Sequence, residues 1–195
     1  MCEPARGRPR EGTKVDVVRR AVFLDRDGVI NRGVVHAGKP FAPSSLSEFE
    51  ILPGVAEALA SLRAAGYLLV VCTNQPDVRR GNTDRADVDA IHAYLRKALA
   101  IDDVRVCYHN DGDACVCRKP MPGMLYAAAY DHEIQLSRSF MVGDRWRDIG
   151  AGRAAGCQTI LVSRFPEPLS VEPDLELENL PAAAEWILSG LRSRA

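Results

Sequence analysis

Ala21-Val22-Phe23-Leu24-Asp25-Arg26-Asp27-Gly28 is an apolar run that ends in two carboxylates and a glycine. Phe140-Met141-Val142-Gly143-Asp144-Arg145-Trp146-Arg147-Asp148 repeats the pattern far along the chain. Short apolar runs of this kind read as strands buried on both faces, as in a parallel sheet. In open α/β sheets, ligands bind beyond the carboxyl ends of the strands. The two sets of acids are therefore expected to meet at one rim. Clustered carboxylates repel one another, and a hard cation such as Mg2+ relieves that repulsion. The pattern points to a metal-dependent site for phosphate chemistry.

Outward from these stretches the chain alternates strand and helix. Strands are expected over Arg20–Leu24, Tyr67–Cys72, Val104–Tyr108, Ser139–Val142 and Thr159–Val162. Helices are expected over Gly54–Ala65, Asp84–Ala100, Pro122–Asp131, Ile149–Ala155 and Ala182–Leu191, with Thr83 or Asp84 capping the second. Pro166–Pro173 reads as irregular. Alternation of this kind implies an α/β fold, a Rossmann-like three-layer sandwich around a central parallel sheet. Met1 to about Lys14 is rich in Arg, Pro and Gly. Residues 1–18 are accordingly expected to be a flexible leader, and 19–195 a single domain.

Charge and hydropathy exclude several roles. With 25 basic against 26 acidic residues, no basic excess marks the chain for nucleic acid. No apolar stretch approaches the ~20 residues that span a membrane. The first 20 residues lack the apolar middle of a secretory signal, which predicts a cytoplasmic protein.

Six cysteines need a reason in that compartment, where disulfides are uncommon. Cys72 and Cys157 lie in or beside apolar runs and read as core thiols. Cys107-x-His109-x5-Cys115-x-Cys117 is different. Three thiols and an imidazole make a complete tetrahedral zinc set, and four protein ligands leave no open position. The expected zinc is structural.

Two more elements fall at the rim. Thr73-Asn74-Gln75 follows a strand and can supply hydrogen bonds without charge. Arg118-Lys119-Pro120 precedes a helix, where an ammonium and a helix N-terminus both favour phosphate.

Asp25-x-Asp27-Gly28, Thr73, Lys119 and Asp144-x3-Asp148 come in the order found in haloacid dehalogenase-like (HAD) phosphatases, and the chain resembles that superfamily from Arg20 to Val162. The zinc loop running into Cys117-Arg118-Lys119-Pro120 is similar to the subgroup holding heptose 1,7-bisphosphate 7-phosphatases and histidinol-phosphate phosphatases. Arg80-Gly81 and Pro120-x-Pro122-Gly123-Met124 look more like the heptose branch.

The resemblance implies a nucleophile at Asp25, an acid–base carboxylate at Asp27, and phosphoryl-holding groups at Thr73 and Lys119. It implies Mg2+ on Asp25, the Asp27 carbonyl and Asp144, with Asp148 orienting a bound water. Asn74, Gln75, Arg118 and Arg145 are implied as substrate contacts. A small phosphorylated substrate and a monomer are the implied partner and assembly. Too few residues separate Gly28 from Gly54 for a cap domain, so an open, capless site is expected. Histidinol phosphate or another sugar phosphate is the alternative substrate. A zinc-stabilised module without hydrolytic activity is a third reading, and the intact Asp25 and Asp27 oppose it.

Overall fold

Residues 18–36, 39–162 and 168–192 are described by the computed structural model. All of the N-terminal leader but Val18 therefore lies outside the described residues, as does the start of the irregular Pro166–Pro173 stretch.

Strand β1 (Arg20–Leu24) occupies the middle of a six-stranded sheet. Ala21 through Leu24 are all fully buried, because the strand is covered on both faces. The pleat divides these side chains. Val22 and Leu24 join one core cluster, while Ala21 and Phe23 join the other.

Helix α1 (Val55–Ala64), strand β4 (Tyr67–Asn74), helix α2 (Arg85–Leu99) and strand β5 (Asp103–Cys107) build outward on one side. Helix α3 (Gly123–His132) then carries the chain back across to strand β6 (Phe140–Gly143), which pairs with β1. Helix α4 (Trp146–Ala155), strands β7 (Gln158–Val162) and β8 (Leu175–Leu177), and helix α5 (Leu180–Arg192) complete the order. The sheet reads β5-β4-β1-β6-β7-β8, and every pairing is parallel.

Buried residues of α1, α2 and α5 pack on one face, and those of α3 and α4 on the other. This is the expected three-layer α/β sandwich. Its strand order reverses between β1 and β6, the place where such sheets leave a crevice at their carboxyl ends.

The structure departs from the sequence expectation in four places. A sixth strand, β8, joins the sheet edge; its three residues are too short to signal by alternation. A hairpin of β2 (Val34–His36) and β3 (Lys39–Phe41) and a short 3-10 turn at Leu46–Glu48 stand between β1 and α1, and among the described residues they occupy the place of a cap. Strand β4 continues two residues beyond Cys72, because Thr73 and Asn74 pair with Val106 and Cys107. Helix α4 begins three residues early, at Trp146, since Asp148 accepts a hydrogen bond from the Arg145 amide (3.0 Å) and caps it. At α2, Asp84 occupies the cap position, but its side chain makes no capping bond. No helix among the described residues is long and apolar enough to cross a membrane.

Candidate active site

Asp25 is the first residue past β1, and its amide donates to the Val142 carbonyl of β6 (2.9 Å). That bond sets Asp25 beside Asp144, the first residue past β6. The turn between the acids is glycine-dependent. Gly28 has φ +88°, and a Cβ there would run into the Asp144 carboxylate. Gly143 is equally confined, because a Cβ would strike the Asp148 side chain. Both glycines let backbone approach acid closely enough for the carboxylates to converge.

Convergence is tight. Asp25, Asp144 and Asp148 are all buried, and each offers an oxygen within 4.8 Å of the others. Lys119 reaches in from the loop before α3, with Nζ 2.8 Å from Asp25 Oδ1 and 2.5 Å from Asp148 Oδ1. Burial alone would push its ammonium down, but Asp148 and Asp25 outweigh that and push it up. Burial also raises Asp25, to about 6, with Lys119 opposing and Asp148 and Asp27 adding to the rise. Asp144 is raised well above its ordinary range by burial, then by Asp25 and Asp148. One ammonium does not balance three carboxylates. Asp144 Oδ1 is buried without a hydrogen bond, and Arg145 Nε is 3.9 Å away. An orphaned oxygen beside two more carboxylates fits a hard divalent cation.

Asp27 points elsewhere. Its Oδ1 accepts from Arg26 Nε (3.1 Å) and Asn31 Nδ2 (3.0 Å), and its Oδ2 from Arg26 NH2 (3.0 Å) and Gln75 Nε2 (2.7 Å). Burial would raise its carboxyl, but Arg26 and the hydrogen bonds from Asn31, Arg26 and Gln75 win and lower it.

The HAD-hydrolase-like family profile matches residues 116–164. D-glycero-D-manno-heptose-1,7-bisphosphate 7-phosphatase from Thermosynechococcus vestitus is 37% identical over 200 residues, covering 90% of this chain and 99% of that protein. The chain belongs to the HAD-like phosphatases. It is a phosphoric monoester hydrolase. The Helicobacter pylori D-glycero-beta-D-manno-heptose-1,7-bisphosphate 7-phosphatase is 34% identical, with 86% of this chain and 97% of that one covered. Among solved structures, the D,D-heptose 1,7-bisphosphate phosphatase of B. bronchiseptica, complexed with magnesium and phosphate, superposes with a TM-score of 0.74. It is 33% identical and covers 88% of this chain and 99% of its own.

In this HAD-like phosphatase the acids open onto a cavity of about 450 Å³. Asp25, Asp27, Asn74, Gln75, Arg118, Lys119, Asp144, Arg145 and Asp148 all line it. Thr73 is buried below them, and its hydroxyl accepts from Gln75 Nε2 (2.9 Å). Asn74 is engaged with the backbone of Lys119, donating to its carbonyl (3.1 Å) and accepting from its amide (3.1 Å). That pair fixes the lysine from which the ammonium extends. Arg118 is folded onto the zinc-type loop, donating to Asp111 Oδ1 (3.0 Å) and the His109 carbonyl (3.0 Å).

The side chains of Cys107, His109, Cys115 and Cys117 converge. Cys117 Sγ lies 3.2 Å from Cys107 Sγ and 3.3 Å from His109 Nδ1, and Cys107 Sγ is 3.5 Å from that nitrogen and 4.0 Å from Cys115 Sγ. The edges of a tetrahedron built on Zn–S and Zn–N bonds of about 2.3 and 2.0 Å are close to these values. The Cys107–Cys117 loop can hold such a metal.

Four site residues carry no motif of their own in the sequence. Asn31 and Arg26 touch Asp27; Asp111 holds Arg118 and lies 3.1 Å from Arg147; His92 contacts Arg26. His92 had a signal. It falls on the inward stripe of α2 with Val88, Ile91, Leu95 and Leu99, and is the polar member of that buried set.

Burial and Arg26 lower His92 to about 4, which ties stability to pH. The folded ring resists a proton that the unfolded chain takes up near 6.5. The stability held above pH 6.5 is therefore lost as pH falls toward 4. Denaturant unfolding across that window should fall more steeply for the native protein than for His92→Gln, by about 2–3 kcal/mol at the acid end. Parallel curves would refute it.

Proposed function

We propose that this chain is a Mg2+-dependent phosphatase that removes the C7 phosphate of D-glycero-D-manno-heptose 1,7-bisphosphate. The observation that carries the reading is the cluster of Asp25, Asp144 and Asp148 around Lys119, under a cavity lined by five arginines (Arg32, Arg80, Arg118, Arg145 and Arg147). A substrate with a second phosphate suits guanidinium groups so placed. The ammonium of histidinol phosphate does not, because Asp111 at the mouth is already paired with Arg118 and Arg147.

Asp25 attacks phosphorus in line: a carboxylate-oxygen–phosphorus bond forms as the bond to the C7 oxygen breaks. Asp27 gives a proton to the departing alkoxide, then takes one from the water that cleaves the aspartyl-phosphate and frees Asp25. The low setting of Asp27 suits the second step. An incoming phosphate dianion raises it for the first, since nearby negative charge favours the protonated acid. Lys119 and Thr73 hold phosphoryl oxygens, where preorganised charge and donors lower the barrier most. Mg2+ on Asp25, the Asp27 carbonyl and Asp144 supplies positive charge to the transferring group when bound. Asp148, engaged with Lys119 and the Arg145 amide, orients the site around it. Asn74 and Gln75 serve by fixing Lys119 and Asp27; Arg118 and Arg145 face the rest of the substrate.

We assign Zn2+ to Cys107, His109, Cys115 and Cys117, as a structural ion that stiffens the loop delivering Arg118 and Lys119. Cys115→Ser should lower zinc content below a full ion per chain and drop the melting temperature by several degrees before kcat changes. Unchanged zinc stoichiometry would remove the four-ligand assignment. One chain supplies every residue of the proposed site, which supports a monomer. The reading includes a cytoplasmic location, where thiols stay reduced and available to a metal.

Phosphate release with Mg2+ from both anomers of heptose 1,7-bisphosphate, and from histidinol phosphate, tests the reading. A large kcat/KM advantage for a heptose anomer is expected. Preference for histidinol phosphate would replace the substrate and leave the chemistry standing.

A further inference from the structure

We propose that His92 is a positioning residue for the acid–base carboxylate: it fixes Arg26, and Arg26 fixes Asp27. The inference rests on the reading of Asp27 as acid and base given above.

Arg26 is fully buried, although it sits between Asp25 and Asp27 in sequence. A buried guanidinium is tolerated only when its donors are engaged. Nε and NH2 are spent on Asp27, at 3.1 and 3.0 Å, which leaves NH1 pointing away toward α2. There it meets His92 Nε2 at 3.1 Å.

The partner determines the state of the ring. Arginine only donates, so Nε2 must accept, and the proton of a neutral imidazole is left on Nδ1. The charged groups that act on His92 are Arg26 and Asp27 from the end of β1, with Asp89 and Arg96 from its own helix.

Mechanical coupling follows from the shape of guanidinium. Its donors form a rigid planar fork, so NH1 cannot seek another acceptor without turning Nε and NH2 off Asp27. Asn31 and Gln75 would still hold the carboxylate, but from the remaining sides only. A residue that merely filled the α2 stripe would be apolar, as Val88, Ile91 and Leu95 are. An imidazole there, aimed at the arginine that grips Asp27, sets the orientation from which the proton is delivered.

Leaving-group dependence separates this role from general damage to the fold. The p-nitrophenolate anion departs at neutral pH without a proton, whereas the C7 alkoxide of heptose 1,7-bisphosphate needs one. His92→Leu should slow phosphoenzyme formation from the heptose ester, read in a single turnover, about 10- to 100-fold with affinity little changed, and spare that step with p-nitrophenyl phosphate; hydrolysis of the aspartyl-phosphate, where Asp27 is the base, is common to both esters. His92→Gln keeps an acceptor near the Nε2 position and should restore most of that loss. Equal losses in this first step on both esters, or no rescue by Gln, would overturn the proposal.

Asp27→Asn, measured alongside, distinguishes the two levels of failure. If it slows phosphoenzyme formation from both esters alike, the acid half of that reading falls and this inference with it. If it is selective and His92→Leu is not, only the inference falls. Nitrogen NMR of the native protein gives a readout independent of turnover. The Nδ1–H tautomer is expected at neutral pH, and an Nε2–H ring or an imidazolium would exclude the contact on which the proposal stands.

Discussion

Asp25→Asn is expected to cut turnover by at least about 10⁴-fold, the scale on which nucleophile removal acts. An amide oxygen is too weak a nucleophile to form the phosphoenzyme, and no other residue in the cavity occupies its place beneath Lys119 and beside Asp144. The fold should survive. Lys119 keeps Asp148 as its partner at 2.5 Å, and the Asp25 amide bond to Val142 belongs to the backbone. Metal-free protein should even gain stability above pH 6. Asp25 is raised to about 6 in the fold, so its ionised form is disfavoured there relative to the unfolded chain. Removing the charge removes that cost. Phosphate release and thermal melting of the same preparation check both halves. Appreciable residual turnover would remove Asp25 as nucleophile, and a collapsed melting curve would make the loss uninformative about chemistry.

The second large effect is at Lys119. Lys119→Met keeps most of the buried stem and deletes the ammonium. A lost donor to a developing phosphoryl charge costs about 10²–10³ in kcat. Stability should suffer as well, because Asp25 and Asp148 lose their common counter-ion inside the protein. Removing one partner of a buried ionic group typically costs about 3–5 kcal/mol. The damage should be largest without metal and should shrink when Mg2+ is added, since a divalent cation neutralises the same carboxylates. Denaturant unfolding with and without Mg2+, paired with kcat, measures this. A variant as stable as the native protein in metal-free buffer would mean that Lys119 does not hold the cluster together.

Much of this was legible in the chain. Ala21–Leu24 and Phe140–Val142 are continuous apolar runs because their strands are covered on both faces, so they announced a parallel sheet directly. The acids after them were placed at one rim by the geometry common to such sheets. The Cys107–Cys117 loop was legible for a different reason: its ligands are close in sequence, and a short turn suffices to gather them.

Elements that depend on distant partners were not legible. Strand β8 exists because Leu175 to Leu177 pair with Ile160 to Val162, and three residues carry no period of their own. Helix α4 reaches back to Trp146 because Asp148 turns to cap it, a choice hidden in a carboxylate that also meets Lys119.

The sheet, its chemistry-bearing rim and the cysteine–histidine loop are written in the chain, since each is encoded by residues near one another or by an apolar period. Only the tertiary structure decided which side chain holds which. Lys119 bridges Asp25 to Asp148, and Asn74 fixes Lys119. Arg26 turns from the carboxylate cluster to join His92 to Asp27. Those pairings link the carboxyl end of β1 to α2, to the end of β4 and to the loop before α3. No local pattern encodes them, because burial and charge act through space, and the chain must fold before either has an address.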